Sequence, residues 1–174
     1  MTNLATLPLL LTLAAGTPVT IDGLTSTAPA SWKEGPSTPM RFKQFTIPAA
    51  TGDKHDAELV VFFFGQGQGG DTQANLERWK QQFEPPAGKK MADVSKVSTV
   101  KLATGQATVL DIHGTYQWKA SPMAPGPAEP RPNHRMLAVV LETPKGNYYI
   151  KLVGPEKTIE KHKKGFDGWI KGFK

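Results

Sequence analysis

Residues 57–83, AELVVFFFGQGQGGDTQANLERWKQQF, place an unbroken apolar run, a glycine-rich turn and a helical pattern in direct succession. The apolar run is bounded by turn residues, which is typical of a strand covered on both faces. After the turn, Leu76, Trp79 and Phe83 recur at helical spacing, and Asp71 can accept hydrogen bonds from the free amides at the helix start. The stretch therefore predicts a buried strand, a tight turn and an amphipathic helix that lies on a sheet.

Glycines of this turn satisfy the pattern G-x-G-x-x-G, which also occurs in dinucleotide-binding folds. Those folds need a second, parallel strand that ends in an acidic residue about twenty positions later. Here the Pro/Gly-rich break 84–90 follows the helix, and Asp93 precedes the next predicted strand. The turn is therefore interpreted as structural. Its free helix amides leave an anion or phosphate binder as an alternative, although the Asp71 carboxylate occupies the place of an anion.

A second apolar run, Leu137–Leu141, also predicts a strand that is covered on both faces. A final helix is expected after Gly154 and Pro155. The predicted fold is α+β: one antiparallel sheet flanked by helices on both faces, an α/β/α sandwich, in a single domain of residues 17–174. The predicted strands are two within residues 17–28, then 40–47 with a bulge, 57–64, 95–103, 106–116, 135–143 and 147–153.

The size and composition of the chain fit one ordinary domain. Its 174 residues are 39% apolar, which is enough for a core without cross-links or cofactors. No cysteine is present, which excludes disulfides and thiolate metal sites. The formal charge is +6, but the basic residues are spread along the chain and no nucleic-acid-binding motif accompanies them. A specific nucleic-acid partner is therefore not expected.

The first sixteen residues, MTNLATLPLLLTLAAG, carry no charged side chain and contain a leucine-rich run. This pattern matches the apolar part of a secretory signal and is too short to span a bilayer. Ala14 and Gly16 are suitably small for cleavage before Thr17. We therefore expect a signal peptide over residues 1–16, a periplasmic or extracellular protein, and no transmembrane segment in the mature chain. Because no Lys or Arg precedes the apolar run, an N-terminal strand or tail stays open.

No residue is assigned a catalytic role, and no cofactor or metal site is assigned. Asp111 and His113 share one face of a predicted strand, so a third ligand would let them hold zinc. A small metal-dependent hydrolase using these two residues is the alternative function. A serine nucleophile is not indicated, since the G-x-S-x-G turn is missing.

Residues 117–133, QWKASPMAPGPAEPRPN, predict a long loop. Five prolines fall in residues 121–133, a density that argues against a helix interior or a central strand. Long loops that carry large side chains often contact partners, and the alternative is that Trp118 and Met123 cover one end of the sheet. Together with the glycine-rich turn, this loop is the predicted contact surface. The candidate contact residues are Gly67, Gln68, Gly70, Asp71, Trp118, Met123 and Arg135.

Six stretches carry a resemblance to known proteins: TIDGLTSTAPASW, AELVVFFFGQGQGG, ANLERWKQQF, DIHGTY, RMLAVVLETPKGNYYIKLVGP and FDGWIKGF. Together they resemble a group of small bacterial exported proteins of unassigned function. The layout is also similar to the fold shared by the PsbP extrinsic subunit of photosystem II and a Ran-binding nuclear import factor. This resemblance implies a binding or assembly role, and we expect a non-catalytic exported binding or interaction domain whose partner is a protein or small ligand of the cell envelope.

Overall fold

The computed structural model describes residues 15–103, 105–120 and 124–174. Within these ranges the chain forms ten strands and three helices. The strands are β1 (Thr17–Ile21), β2 (Leu24–Ala28), β3 (Lys33–Glu34), β4 (Arg41–Ile47), β5 (Ala57–Phe63), β6 (Phe83–Glu84), β7 (Ser95–Leu102), β8 (Gly105–Trp118), β9 (Glu129–Thr143) and β10 (Gly146–Pro155). The helices are α1 (Thr72–Lys80), α2 (Met91–Val94) and α3 (Glu156–Lys171).

Eight of these strands form one sheet in the order β3-β4-β5-β10-β9-β8-β6, and β7 also pairs with β8. The strands β6 and β7 lie end to end along the outer edge of β8. The hairpin β1–β2 forms a separate two-stranded sheet. Every strand pairing in the described part of the chain is antiparallel. The fold is therefore mixed α+β, and a dinucleotide-binding arrangement is excluded because it requires parallel strands.

The first of two hydrophobic cores joins the β1–β2 hairpin, the sheet and α3. In α3, apolar side chains at helical spacing are buried, and the rings of Trp169 and Trp32 meet edge to face at 5.7 Å. The start of α3 is fixed by Asp53, whose carboxylate accepts hydrogen bonds from the Thr158 amide (3.0 Å) and hydroxyl (2.6 Å). Trp32, the lone large apolar residue of its loop, is thereby part of this core.

The second core contains Leu76 and Trp79 of α1 together with Phe83 and side chains of the sheet. Successive side chains of a strand point in opposite directions. On β9, odd-numbered residues from Leu137 to Leu141 accordingly join the first core, and even-numbered residues from Met136 to Val140 join the second. The predicted run of buried residues in this strand is thus confirmed.

Two predicted boundaries are wrong at the proline-rich segment. Strand β8 continues to Trp118, and β9 begins at Glu129, so that Pro130 and Pro132 lie inside a strand. The pairing of β9 with β10 begins only at His134, so the first residues of β9 pair with β8 alone. A proline can occupy such an edge because no neighbouring strand requires its missing amide hydrogen.

The predicted bulge in β4 is confirmed by a shift of register between Arg41 and Lys43. Three short elements, β3, β6 and α2, were not predicted, because two to four residues do not establish a periodic pattern. In the described part of the chain, none of the helices combines the length and apolar character that a bilayer crossing requires.

Candidate functional site

A cleft of about 730 Å³ opens beside the second core, and no residue of α1 lines it. Its floor is formed by alternate residues of β5, from Glu58 to Phe62, and by Lys151 and Val153 of β10. Phe62 and Val153 are partly buried against the second core, so the core and the floor are continuous. We call this cavity the Lys151 cleft.

The walls of the Lys151 cleft come from segments that flank the floor strands β5 and β10 on either side. On one side lie the extended ends of β8 and β9, which contribute Tyr116 and Trp118. On the other side lie Met40 and Arg41. Met40 is 64% exposed and Phe64, also at the rim, is 41% exposed, so large apolar side chains face solvent around an open cavity.

The wall formed by β8 and β9 is aromatic and basic. The guanidinium carbon of Arg131 lies 4.0 Å from the centre of the Trp118 ring, a cation–π arrangement. Arg131 is held there by two hydrogen bonds to the Glu129 carboxylate, at 2.9 and 3.3 Å. Beside this pair, the rings of Tyr116 and His134 stack with their centres 6.3 Å apart. Each ring is therefore held by a second group on the neighbouring strand.

His134 is almost fully buried, and its Nδ1 lies 2.9 Å from the carbonyl oxygen of Pro132. Because a carbonyl can only accept, Nδ1 carries the proton of this hydrogen bond. Burial is the main cause that lowers the pKa of His134. Burial likewise raises the pKa of Tyr116. At neutral pH both rings of the wall are therefore uncharged.

Lys151 is the central polar residue of the floor. Its Nζ donates a hydrogen bond to Oε1 of Gln82 (2.8 Å) and lies 5.6 Å from the centre of the Tyr116 ring. The side chain keeps partial exposure because it lines the cleft. Protein atoms nevertheless surround most of the side chain, and this burial lowers the pKa of Lys151 to about 8.

The position of Gln82 depends on a close approach between β6 and β8. The amide of Gln117 donates to the carbonyl oxygen of Gln82 (2.8 Å), which holds this residue against the cleft wall. At Gly114, a Cβ atom would lie 2.4 Å from the carbonyl oxygen of Glu84, and φ is +153°. Only glycine lets the two strands come this close, so Gly114 helps to place the partner of Lys151.

Basic groups outnumber acidic groups around the cleft. The two carboxylates that line it are already engaged: Glu58 pairs with Arg41 at 2.8 Å, and Asp56 accepts a hydrogen bond from the Ala49 amide at 2.9 Å. The lining cations are Arg41, Lys119, Arg131 and Lys151.

The glycine-rich turn lies beside the cleft and does not line it. Asp71 accepts a hydrogen bond from the Ala74 amide (2.7 Å) and so caps α1. The Tyr149 hydroxyl donates to the carbonyl oxygen of Gly70 (2.6 Å), and a Cβ at Gly69 would come within 2.6 Å of the Tyr149 ring. These contacts account for the turn as a structural element and fill the helix start where an anion would bind.

The other predicted contact residues are scattered. Gly67 and Gln68 belong to the same turn and are exposed, and Met123 lies outside the described residues. Of the predicted set, Trp118 is the one that lines the Lys151 cleft in the described part of the chain. Arg135 instead donates two hydrogen bonds to Asp111, at 2.8 and 2.7 Å.

The proposed zinc ligands are therefore not arranged for a metal. Both carboxylate oxygens of Asp111 accept hydrogen bonds from Arg135, and these bonds are the main cause that raises the pKa of Arg135. Across residues 15–103, 105–120 and 124–174, no group of three His, Cys, Asp or Glu side chains is placed to hold a metal ion. The geometry gives no support to the hydrolase alternative built on Asp111 and His113.

Sequence reasoning missed Lys151, although a signal for it exists. In the predicted strand 147–153, Tyr149, Lys151 and Val153 share one phase, and their neighbours Ile150 and Leu152 share the other. Apart from Asn147 at the start of the strand and Lys151, both phases are apolar. A lysine on an otherwise apolar face of a central strand is unusual and marks a buried or functional cation.

No protein-family profile and no curated protein sequence matches the chain at a significant level. Several solved structures share its architecture, and two of them illustrate the likeness. One is PA94 of Pseudomonas aeruginosa, a protein of unknown function, with a TM-score of 0.50 and 13% identity over 90% of this chain and 94% of that one. The other is the cyanobacterial PsbP protein CyanoP of Synechocystis sp. PCC 6803, with a TM-score of 0.53 and 10% identity over 97% of both chains.

The chain has a PsbP-like fold. The predicted resemblance to PsbP-like small bacterial proteins is thereby confirmed at the level of architecture. At identities this low, the PsbP-like fold carries no activity or partner from one protein to the other.

Proposed function

We propose that this protein is a non-catalytic binding domain whose Lys151 cleft takes a small organic ligand. The observation that carries the proposal is an open cavity of about 730 Å³ with exposed apolar side chains at its rim. Ligand pockets typically measure about 300 to 1,000 Å³ and combine apolar walls with a few fixed polar groups. The aromatic wall and the two polar residues of the floor, Lys151 and Glu58, match that composition.

The arrangement of helices in this proposal is an α/β/α sandwich. Its support is that α1 contributes to one core and α3 to the other, while alternate residues of β9 supply both. In such an arrangement the short helix α1 is the element that leaves part of the sheet uncovered. The cleft is then a consequence of the length of α1.

A binding role accords better with the polar groups of the cleft than a catalytic one. Catalysis by a histidine needs a nucleophile or substrate proton within hydrogen-bond reach. Among the described residues, His134 makes its hydrogen bond to a backbone carbonyl and none to a side chain that could act as a nucleophile, and Glu58 is engaged by Arg41. These groups fix the walls of the cleft.

We further propose that the domain acts outside the cytoplasm. The support is the charge-free, leucine-rich stretch in residues 1–16, with small residues before Thr17. The test is the intact mass of the protein recovered from separated cytoplasmic and envelope fractions of its host. A chain that begins at or near Thr17 in the envelope fraction supports export, and a full-length chain in the cytoplasm contradicts it.

The binding proposal is tested with N-phenyl-1-naphthylamine, an uncharged aromatic probe that fluoresces in apolar surroundings. We expect saturable binding to the folded protein, weakened about threefold to tenfold by Met40→Ala because an apolar contact at the rim is lost. The matched control is Val97→Ala, which removes a 46% exposed apolar side chain that does not line the cleft. An absence of probe binding, or equal weakening by the two substitutions, contradicts the proposal.

A further inference from the structure

The ammonium group of Lys151 is a partly buried charge that has no ion-pair partner among the described residues. One of its three N–H donors is used by Gln82, a neutral amide. None of the ion pairs among the described residues includes Lys151. A cation removed from water in this way is costly unless an opposite charge compensates it.

The surroundings of Lys151 do not supply that opposite charge. Glu58 is the carboxylate that acts on Lys151, and its side chain is paired with Arg41. Arg41 and Arg78 act on Lys151 in the opposite sense, as like charges. Asp56 and Lys119 lie at the exposed rim. The other charged and titratable groups around Lys151 are Arg41 on β4, Glu58 on β5, Arg78 on α1, Tyr116 on β8, and Arg131 and His134 on β9.

We propose that the Lys151 cleft binds small organic anions, with the Lys151 ammonium as counterion of the ligand's anionic group and the Trp118–Tyr116 wall packed against its apolar body. This inference rests on the function proposed above and adds the charge of the ligand to it. A carboxylate, sulfonate or phosphate placed at the floor accepts hydrogen bonds from the two remaining N–H groups of Lys151. The bound complex then holds a paired charge where the empty protein holds an unpaired one.

The rest of the cleft suits the apolar body of such a ligand. The Trp118 ring is held by Arg131 and the Tyr116 ring by His134, so the wall is rigid before binding. The hydrogen bond to Gln82 fixes the direction of the Lys151 side chain. A planar molecule of two or three rings can lie along the wall and place its anionic group on the floor.

The test compares two probes that differ only in one anionic group: 8-anilinonaphthalene-1-sulfonate and N-phenyl-1-naphthylamine. We expect the sulfonate to bind the unmodified protein about tenfold to a hundredfold more tightly, the usual worth of a charge-assisted hydrogen bond. Lys151→Met removes the charge and keeps the length of the side chain, so it should abolish this preference and retain binding of the uncharged probe. Lys101→Met, which replaces an exposed lysine of β7 that does not line the cleft, is the matched control and should retain the preference.

The outcomes separate the two proposals. If neither probe binds, the binding function itself is overturned, and the charge of the ligand with it. If the uncharged probe binds and the sulfonate has no advantage, or if the advantage survives Lys151→Met, the anion inference is overturned and the binding function stands. Near-ultraviolet circular dichroism of each variant checks that the native packing is retained, since loosely packed states also bind the sulfonate probe.

A second measurement needs no variant. The sulfonate stays charged between pH 7 and pH 10, whereas the pKa of Lys151 is about 8. The pKa of Tyr116 is raised and that of His134 is lowered, so neither group accounts for a change within this range. We expect the preference for the sulfonate to fall as the pH rises from 7 to 10. A constant preference overturns the inference.

Discussion

The two hydrophobic cores differ in size: among the described residues, 21 buried side chains form the first core and nine form the second. The first core lies under the 16-residue helix α3 and the β1–β2 hairpin, and it holds Trp169, Phe166 and Phe173, each at most 2% exposed. The second core includes Leu76 and Trp79 of the nine-residue helix α1, and Phe62 and Val153 at its margin also line the Lys151 cleft. We therefore expect most of the stability to come from the first core, whereas the second core borders an open cleft.

The largest expected effect separates the two regions by stability. Trp169→Ala should lower the free energy of unfolding by about 3 to 5 kcal/mol, because a large buried side chain is lost and a cavity remains. Trp118→Ala should lower it by less than about 1 kcal/mol, because its ring lies in the open cleft. Urea unfolding of both variants gives the comparison. Equal losses would show that the cleft wall is as important for folding as the first core.

A smaller effect is expected at the turn that leads into α1. Gly69→Ala should cost about 2 to 3 kcal/mol, because φ is +88° and the new Cβ would lie 2.6 Å from the Tyr149 ring and 2.8 Å from Phe64. Gly67→Ala is the matched control: φ is +71°, but nothing lies within 4 Å of the new Cβ. It should cost about 1 kcal/mol, the backbone strain alone. If the two losses are equal, the close contact with Tyr149 does not hold the turn.

The smallest expected effect is a gain in the free energy of unfolding, where the two previous ones are losses. The pKa of Lys151 falls from an ordinary value near 10.5 to about 8 on folding, so between these values the unfolded chain binds more protons. The penalty of the buried cation is therefore fully present below about pH 8 and is relieved as the pH rises toward 10.5. Lys151→Met removes this penalty but leaves Gln82 without its donor, so we expect a net gain of about 1 to 2 kcal/mol at pH 7.

Urea unfolding at pH 7 and pH 10 measures this effect. The stability difference between Lys151→Met and the unmodified protein should shrink at the higher pH. Lys101→Met should change stability little at either pH, because that lysine is exposed and does not line the cleft. A destabilised Lys151→Met at pH 7 would show that the ammonium already has a favourable partner, and it would remove the reason for expecting an anion.

The sequence predicts the sheet and its main helices because the spacing of apolar residues matches the period of a strand or of a helix. The apolar runs in β5 and β9 predict buried strands, and the spacing of Leu76 and Trp79 predicts α1. The strand content of the proline-rich segment could not be predicted in this way. Whether Pro130 needs a hydrogen-bonding partner depends on where β10 ends in space, which no local pattern records.

Of the predicted contact residues that the structure describes, only Trp118 lines the Lys151 cleft. The prediction treated the glycine-rich turn and the proline-rich segment as one surface, whereas the structure places the turn beside the cleft. The floor residues come from β5 and β10, which are about ninety positions apart in the chain and meet only through strand pairing. A cavity whose floor is formed by two such strands depends on tertiary packing, and the pattern of the sequence alone does not predict it.

The four tryptophans are distributed so that each region has its own optical reporter. Trp32 and Trp169 lie in the first core and Trp79 in the second, each at most 4% exposed, whereas Trp118 stands in the cleft. Collisional quenching by acrylamide should therefore act mainly on the emission of Trp118. Occupation of the cleft can be followed in the unlabelled protein as a loss of that quenching, while the emission of the three inner rings records whether the cores stay intact.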